Sequence, residues 1–348
     1  MPSPKMFSPV RLKLARQRRG LTLTRLAEVS SVSLRSLTNY ENKGTEQPSD
    51  ESLRKLAHAL DVSPGHFHRD EVEPVPVEAV SFRKLSKTSA TRRDAVLSSA
   101  TLALELFDVI DRQFKLPDSG IPTYDKFSPE QAAEMVRQVW GLGDKPISNM
   151  VHLLEAKGVR VVSLAHDYTD IDAFCFFRDS VPYMFVNTTK SGERQRFDIA
   201  HELGHLVLHD ERDMTPKDSR EREAEANAFA AAFLMPATGL HAQAMWSASI
   251  QKIFAAKKYW KVSAMAMTHR LHELELLNDW QYRSTVVTLS KAGYRSSEPD
   301  GMIPESSQLL RKVLFGPKGV SLSRAAEELA VPARDLSALL QGLVPVAA

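Results

Sequence analysis

Ala200-His201-Glu202-Leu203-Gly204-His205 places two imidazoles and a carboxylate at a spacing suited to metal chemistry. The flanking residues read as a helix over about 191–208, and four residues make a little over one helical turn. His201 and His205 therefore share a face, where two ring nitrogens can hold one zinc ion. Glu202, beside the first of them, is placed to take a proton from water that such an ion acidifies. The same carboxylate can then protonate a leaving amine. The chemistry is peptide-bond hydrolysis.

A catalytic zinc needs a third protein ligand and one open position. His209 lies eight residues past His201, about 12 Å along the helix and some 80° round it, too far to share an ion with it. Glu211 stands six residues after His205, but the pattern that uses this position needs a glycine where Leu208 stands. A carboxylate from a second helix remains. The run from Arg220 to Leu234 supplies one, with Ala226, Phe229, Ala230 and Phe233 on its apolar face and Glu223 and Asn227 beside that face. Glu223 ranks first as third ligand and Glu225 second. Asn227 can hydrogen-bond the far nitrogen of a ligating histidine. Tyr183, His166 and His209 are candidate oxyanion donors, though each reads more simply as structural.

These motifs resemble the ImmA/IrrE family of metallopeptidases. The residues carrying the resemblance run from Arg196 to Leu206 and from Glu223 to Ala230, followed by Leu234-Met235-Pro236. Trp140-Gly141-Leu142 and Val151 to Val159 extend it upstream. The resemblance covers about 124–240 and implies a gluzincin-like fold of a small sheet plus helices. By it, His201, His205 and Glu223 are the metal ligands and Glu202 the general base. Zinc is the expected cofactor, with manganese the alternative. A repressor is the kind of protein substrate it implies.

Elements must position these groups. Val159–Leu164, Ala173–Arg178 and Tyr183–Asn187 read as strands, the last two joined as a hairpin across Asp179-Ser180. That hairpin could offer an edge to an extended substrate. Ser128 to Gln131 reads as a capped helix start, and a helix over about 148–157 ends at Gly158.

The first segment, 8–68, is a set of short amphipathic helices. It resembles the Xre/Cro-type helix-turn-helix family through Leu21-Thr22, Leu26-Ala27, Val32-Ser33, Leu37, Tyr40-Glu41, Pro48 and the Leu53–Val62 pattern. The resemblance places Ser33, Arg35, Ser36 and Asn39 against base edges. Arg35 suits guanine and Asn39 adenine. Arg16, Arg18 and Lys43 are the expected phosphate contacts. From Lys5 to Arg19 there are six basic residues and no acid, a stripe that can serve nucleic acid. Leu23 stands where many members carry glutamine. Ser31 replaces the usual turn glycine, at little cost if that backbone is not left-handed.

Between these segments, Val72–Val80 reads as a stiff proline-rich linker within a 69–123 connector that includes a helix over about 88–115. Residues 241–348 read as a helical C-terminal domain, with Trp246, Tyr259, Trp260 and Trp280 packing its core, the reading favoured, or rimming an interface. Its role stays open between a lid, a sensor and a dimer contact. Leu322 to Glu327 aligns without gaps on Leu23 to Glu28, with Val331, Arg334 and Leu336 on Val32, Arg35 and Leu37. Ordinary alanine- and leucine-rich patterning explains this more simply than a second helix-turn-helix.

The fold class expected is α+β. The 348 residues carry a net charge of +2 with 25% charged residues, which excludes a disordered or supercharged chain. The single Cys175, in an apolar strand, excludes an intrachain disulfide and reads as inert packing. No run suits a membrane span or a secretory leader, so a cytoplasmic protein is expected, with no membrane partner. The expectation is a DNA-binding zinc endopeptidase acting as a stress-response regulator, with a homodimer left open. The alternative is a transcription regulator whose metal domain senses or docks without proteolysis.

Overall fold

The computed structural model describes residues 6–43, 46–77, 89–164, 171–209, 219–294 and 297–344. The chain is mostly helical with one small sheet and divides into two compact units. The first comprises residues 1–116, 162–171 and 308–348; the second comprises 117–161 and 172–307. Of residues 241–348, those up to Ser307 fall in the second unit and those from Gln308 in the first.

In chain order the helices of the first unit are α1 (Pro9–Arg18), α2 (Leu23–Ser30), α3 (Leu34–Thr38), α4 (Asp50–Leu60) and α5 (Ala90–Asp111). Hydroxyl N-caps start them: Ser8, Thr22, Ser33, Ser49 and Ser89 each accept an N–H from the residue three positions on. A π-helical turn, Asn39–Lys43, follows α3. Leu12, Ala15, Leu26, Val32, Leu37, Leu56 and Leu60 fill a common core with Phe7, Tyr40 and Phe67. Ser31 ends α2 at φ 55° and ψ 29°. That backbone is left-handed after all, so serine costs about 1 kcal/mol against glycine.

The helix expected as a connector is a core element. α5 buries residues from Ala95 to Ile110. The proline-rich stretch is seated in part: Val75 is buried and its N–H donates to Thr101 Oγ1 at 3.1 Å. Residues 78–80 of the expected linker lie outside the described residues.

Four arginines of the basic stripe form ion pairs within the fold, while Lys13 is exposed. Arg11 is buried against Glu105 at 2.7 Å. Arg16 makes paired bonds to Glu41 at 2.7 and 2.8 Å. Asp335 holds Arg19 through both oxygens at 2.9 Å and Arg18 at 3.1 Å. Burial pushes the Arg18 pKa below the ordinary guanidinium value, and Asp335 opposes that shift. The expected phosphate contacts Arg16 and Arg18 are thus engaged within the fold.

Asp335 belongs to the C-terminal repeat, whose match is structural. In the second unit α6 (Pro129–Val139), α7 (Met150–Ala156), β1 (Arg160–Ser163), β2 (Ala173–Arg178), β3 (Val181–Val186), α8 (Gly192–Leu208), α9 (Ser219–Leu234), α10 (Ala237–Ala242), α11 (Ile250–Trp260), α12 (Ala264–Glu273) and α13 (Asp279–Lys291) precede it, β1 lying on the boundary. The first unit then resumes with α14 (Gln308–Phe315), α15 (Leu322–Leu329) and α16 (Ala333–Ala338). The bounds of α15 coincide with those of α2 under the gapless alignment, and α16 begins where α3 does. Ala330 repeats Ser31 at φ 55°. Ser321 caps Arg324 as Thr22 caps Arg25. Ala325, Val331 and Leu336 are buried like Leu26, Val32 and Leu37. The helix-turn-helix reading of the repeat, and not ordinary patterning, is the one this geometry follows. Asp335→Ala leaves Arg18 buried without its acid, and a loss of about 3 kcal/mol in urea unfolding is expected.

In the second unit the sheet order is β1-β3-β2. β2 and β3 pair antiparallel in the register Ala173↔Val186 to Arg178↔Val181. The hairpin turns at Asp179 and Ser180, both at positive φ, the pairing expected for a two-residue turn. Phe174 stacks on Phe185 across the strands at 4.6 Å. Of the four aromatic residues expected as C-terminal core, Trp260 alone is buried; Trp246, Tyr259 and Trp280 are exposed. No helix among the described residues is long and apolar enough to cross a membrane.

Candidate metal centre

Two packed helices build the site. α8 runs unbroken through Gly192–Leu208 from its N-cap Ser191 and carries His201, Glu202 and His205. α9 carries Glu223 and Asn227. Gly204 lets them approach: a Cβ there would lie 3.1 Å from the Phe229 ring and 3.2 Å from Ala226 Cα. Glycine inside a helix costs about 1 kcal/mol against alanine, so this close contact explains its presence.

The imidazole Nε2 atoms of His201 and His205 lie 3.1 Å apart. Glu223 Oε1 is 3.4 Å from His205 Nε2, and Oε2 is 3.7 Å from His201 Nε2. A tetrahedral ion with bonds of about 2.0–2.1 Å to such ligands separates them by roughly 3.3 Å. The triangle fits that requirement. The three residues form a His/His/Glu group whose donor atoms all lie within 4.8 Å of one another. His201 Nδ1 is 3.0 Å from Asn227 Oδ1, so the ring donates there and leaves Nε2 as the lone pair.

Glu202 is 1% exposed, and its Oε2 is a buried oxygen with no hydrogen-bond partner among the described residues. An unmet acceptor at such depth is costly unless something brings it a proton. Behind it, the Cys175 thiol donates to the Glu202 carbonyl oxygen at 3.3 Å. Cys175 is buried, as the packing reading expects.

His209 and Glu225, set aside or ranked second as ligands, take another place. His209 Nδ1 lies 2.9 Å from His205 Nδ1, and His209 Nε2 lies 2.9 Å from Glu225 Oε2. Burial pushes the His209 pKa down to about 4, against the pull of Glu225. Glu211 and His166 lie outside the described residues. Tyr183 is buried in the hairpin, stacked on Phe176 at 5.8 Å.

A buried network fixes the start of α8. Arg196 is fully buried and ion-paired to Glu305, and it also donates to the Ile147 carbonyl. Glu305 Oε2 accepts the Met150 and Val151 N–H groups at 2.6 and 3.2 Å. Glu305 N–H donates to Gln195 at 2.7 Å. Glu193 accepts from Met302 N–H at 2.9 Å and pairs with Lys257. Sequence reasoning missed this clamp. The cluster of Glu193, Gln195, Arg196 and Asp198 at the start of α8 was its one local signal.

The IrrE N-terminal-like domain, a peptidase family, matches residues 154–272. The helix-turn-helix family matches residues 12–67. The chain carries an IrrE N-terminal-like domain behind a helix-turn-helix domain. No curated protein matches the chain. The IrrE-like match contains both metal-site helices and extends through α11 into α12, beyond the expected end at 240.

In the helix-turn-helix domain Ser33 and Arg35 are exposed, and Ser36 and Asn39 are half-buried. Ser33 caps α3, accepting from Ser36 N–H at 3.0 Å. Lys43 ends the π-helical turn, and its side chain lies outside the described residues.

Proposed function

We propose that the protein is a DNA-binding zinc endopeptidase that acts as a stress-response regulator by cutting a regulatory protein, a repressor being the leading candidate. The observation that carries this reading is the His201–His205–Glu223 triangle with Glu202 Oε2, which has no hydrogen-bond partner among the described residues, on the metal helix. A divalent ion held by those three residues supplies a Lewis acid that acidifies water and polarises a scissile carbonyl. Glu202 Oε2 takes one proton from the attacking water. As the C–N bond breaks, Glu202 returns that proton to the leaving nitrogen. Asn227 keeps the His201 ring oriented throughout. β2 lies at the outer position of the sheet order and runs beside α8, so an extended substrate strand can add to it.

The peptidase reading is tested by comparing protein termini in cells carrying wild type or Glu202→Gln, before and after DNA damage. A terminus present in wild type alone identifies the substrate. Identical termini together with unchanged promoter control under both conditions would remove the peptidase reading and leave a regulator that senses or docks.

DNA recognition is assigned to Ser33, Arg35, Ser36 and Asn39 at the start of α3 and the turn that follows. Arg35→Ala combined with Asn39→Ala is expected to lose roughly 2–5 kcal/mol of specific affinity. A gel shift at fixed salt measures it, and unchanged specific affinity would count against this surface.

A further inference from the structure

We propose that His209 and Glu225 form an orienting relay that sets the tautomer of His205 and holds its ring toward the metal position. The inference rests on the metallopeptidase reading and adds two positioning residues to it.

Glu225 Oε2 lies 2.9 Å from His209 Nε2. A carboxylate accepts and does not donate, so His209 carries its proton on Nε2. A neutral imidazole with that proton has its lone pair on Nδ1. His209 Nδ1 faces His205 Nδ1 at 2.9 Å, and one of the two must donate. His209 cannot, so His205 does. His205 is then left with its lone pair on Nε2, the atom that faces His201 Nε2 at 3.1 Å and Glu223 at 3.4 Å.

The polarity therefore runs one way, from Glu225 through His209 to His205. Each of the two histidines in the triangle has its own support: Asn227 serves His201 directly, and Glu225 serves His205 through an intervening ring. The relay is well enclosed, with the His209 side chain 6% exposed and that of Glu225 23%. It also spans both helices. His209 caps the C-terminus of α8 outside helical dihedrals, while Glu225 stands on α9. A carboxylate at the end of the chain raises the basicity of the ligating nitrogen.

The test is zinc affinity of the full-length protein, read by competition with a chromophoric chelator at neutral pH. His209→Phe keeps bulk but cannot accept, and about 10–100-fold weaker zinc binding is expected. His209→Gln can accept from His205 and donate to Glu225, and it is expected to stay within about threefold of wild type. A purely structural side chain would not separate these two variants in this way. Equal affinity for Phe and Gln, whether wild-type or weakened, overturns the relay. Should the Phe variant fail to fold, nitrogen-15 spectra of the zinc-loaded wild type decide. Protons on His209 Nε2 and His205 Nδ1 are expected, and a proton on His209 Nδ1 overturns the relay. Glu223→Ala separates the two levels. Undiminished zinc binding in that variant removes the metal site itself, whereas its loss beside an unmoved His209 series removes the relay alone.

Discussion

Glu202→Gln is expected to keep zinc and lose peptidase activity by about a thousandfold. The amide nearly matches the carboxylate in shape, so helix packing and the His201–His205–Glu223 triangle remain. What it lacks is basicity. Glu202 Oε2 is buried without a partner among the described residues, and in the proposed reaction it alone of the described acids sits on the metal helix between the two histidines. An amide there cannot take the proton from water or return it to the leaving nitrogen. The check is paired: chelator competition for zinc, and cleavage of the substrate found by terminus comparison. Activity within tenfold of wild type would mean that another group is the base.

Glu305→Ala is expected to give the largest loss of stability, about 3–5 kcal/mol. Arg196 is fully buried, and its carboxylate partner is 3% exposed. Burial lowers the Arg196 pKa, and Glu305 works against that shift. Removing the acid strands a guanidinium in the interior. It also orphans the two N–H groups that begin α7. The start of α8 loosens as a result, although no ligand has been touched. Urea unfolding of the apoprotein measures the effect, and a change below 1 kcal/mol would show that the clamp is dispensable.

The pair of site helices was legible because helical period decides it. Four residues put His201 and His205 on one face, and the same arithmetic put Glu223 and Asn227 beside an apolar stripe. His209 was set aside as a ligand by its reach from His201, which says nothing of its other contacts; from His205 it is again four residues away, and the two rings meet. The ion pairs of the basic stripe were hidden for a different reason. Arg11 and Arg19 pair with acids 94 and 316 residues distant, which no local window contains. The Arg196–Glu305 pair, 109 residues apart, was hidden in the same way. The C-terminal repeat shows the reverse error: an alignment without gaps was present in the residues, but short alanine-rich helices resemble one another too readily to decide it.

Synthesis meets a delay at Asp335. Arg19 leaves the ribosome 316 residues before its partner. At typical elongation rates the interval is about 15–60 s. Through that time Arg18 and Arg19 have no acid from α16, while the whole IrrE-like domain is made between them and it. A chain stopped at Ser307 would carry both metal-site helices complete and its first unit unfinished.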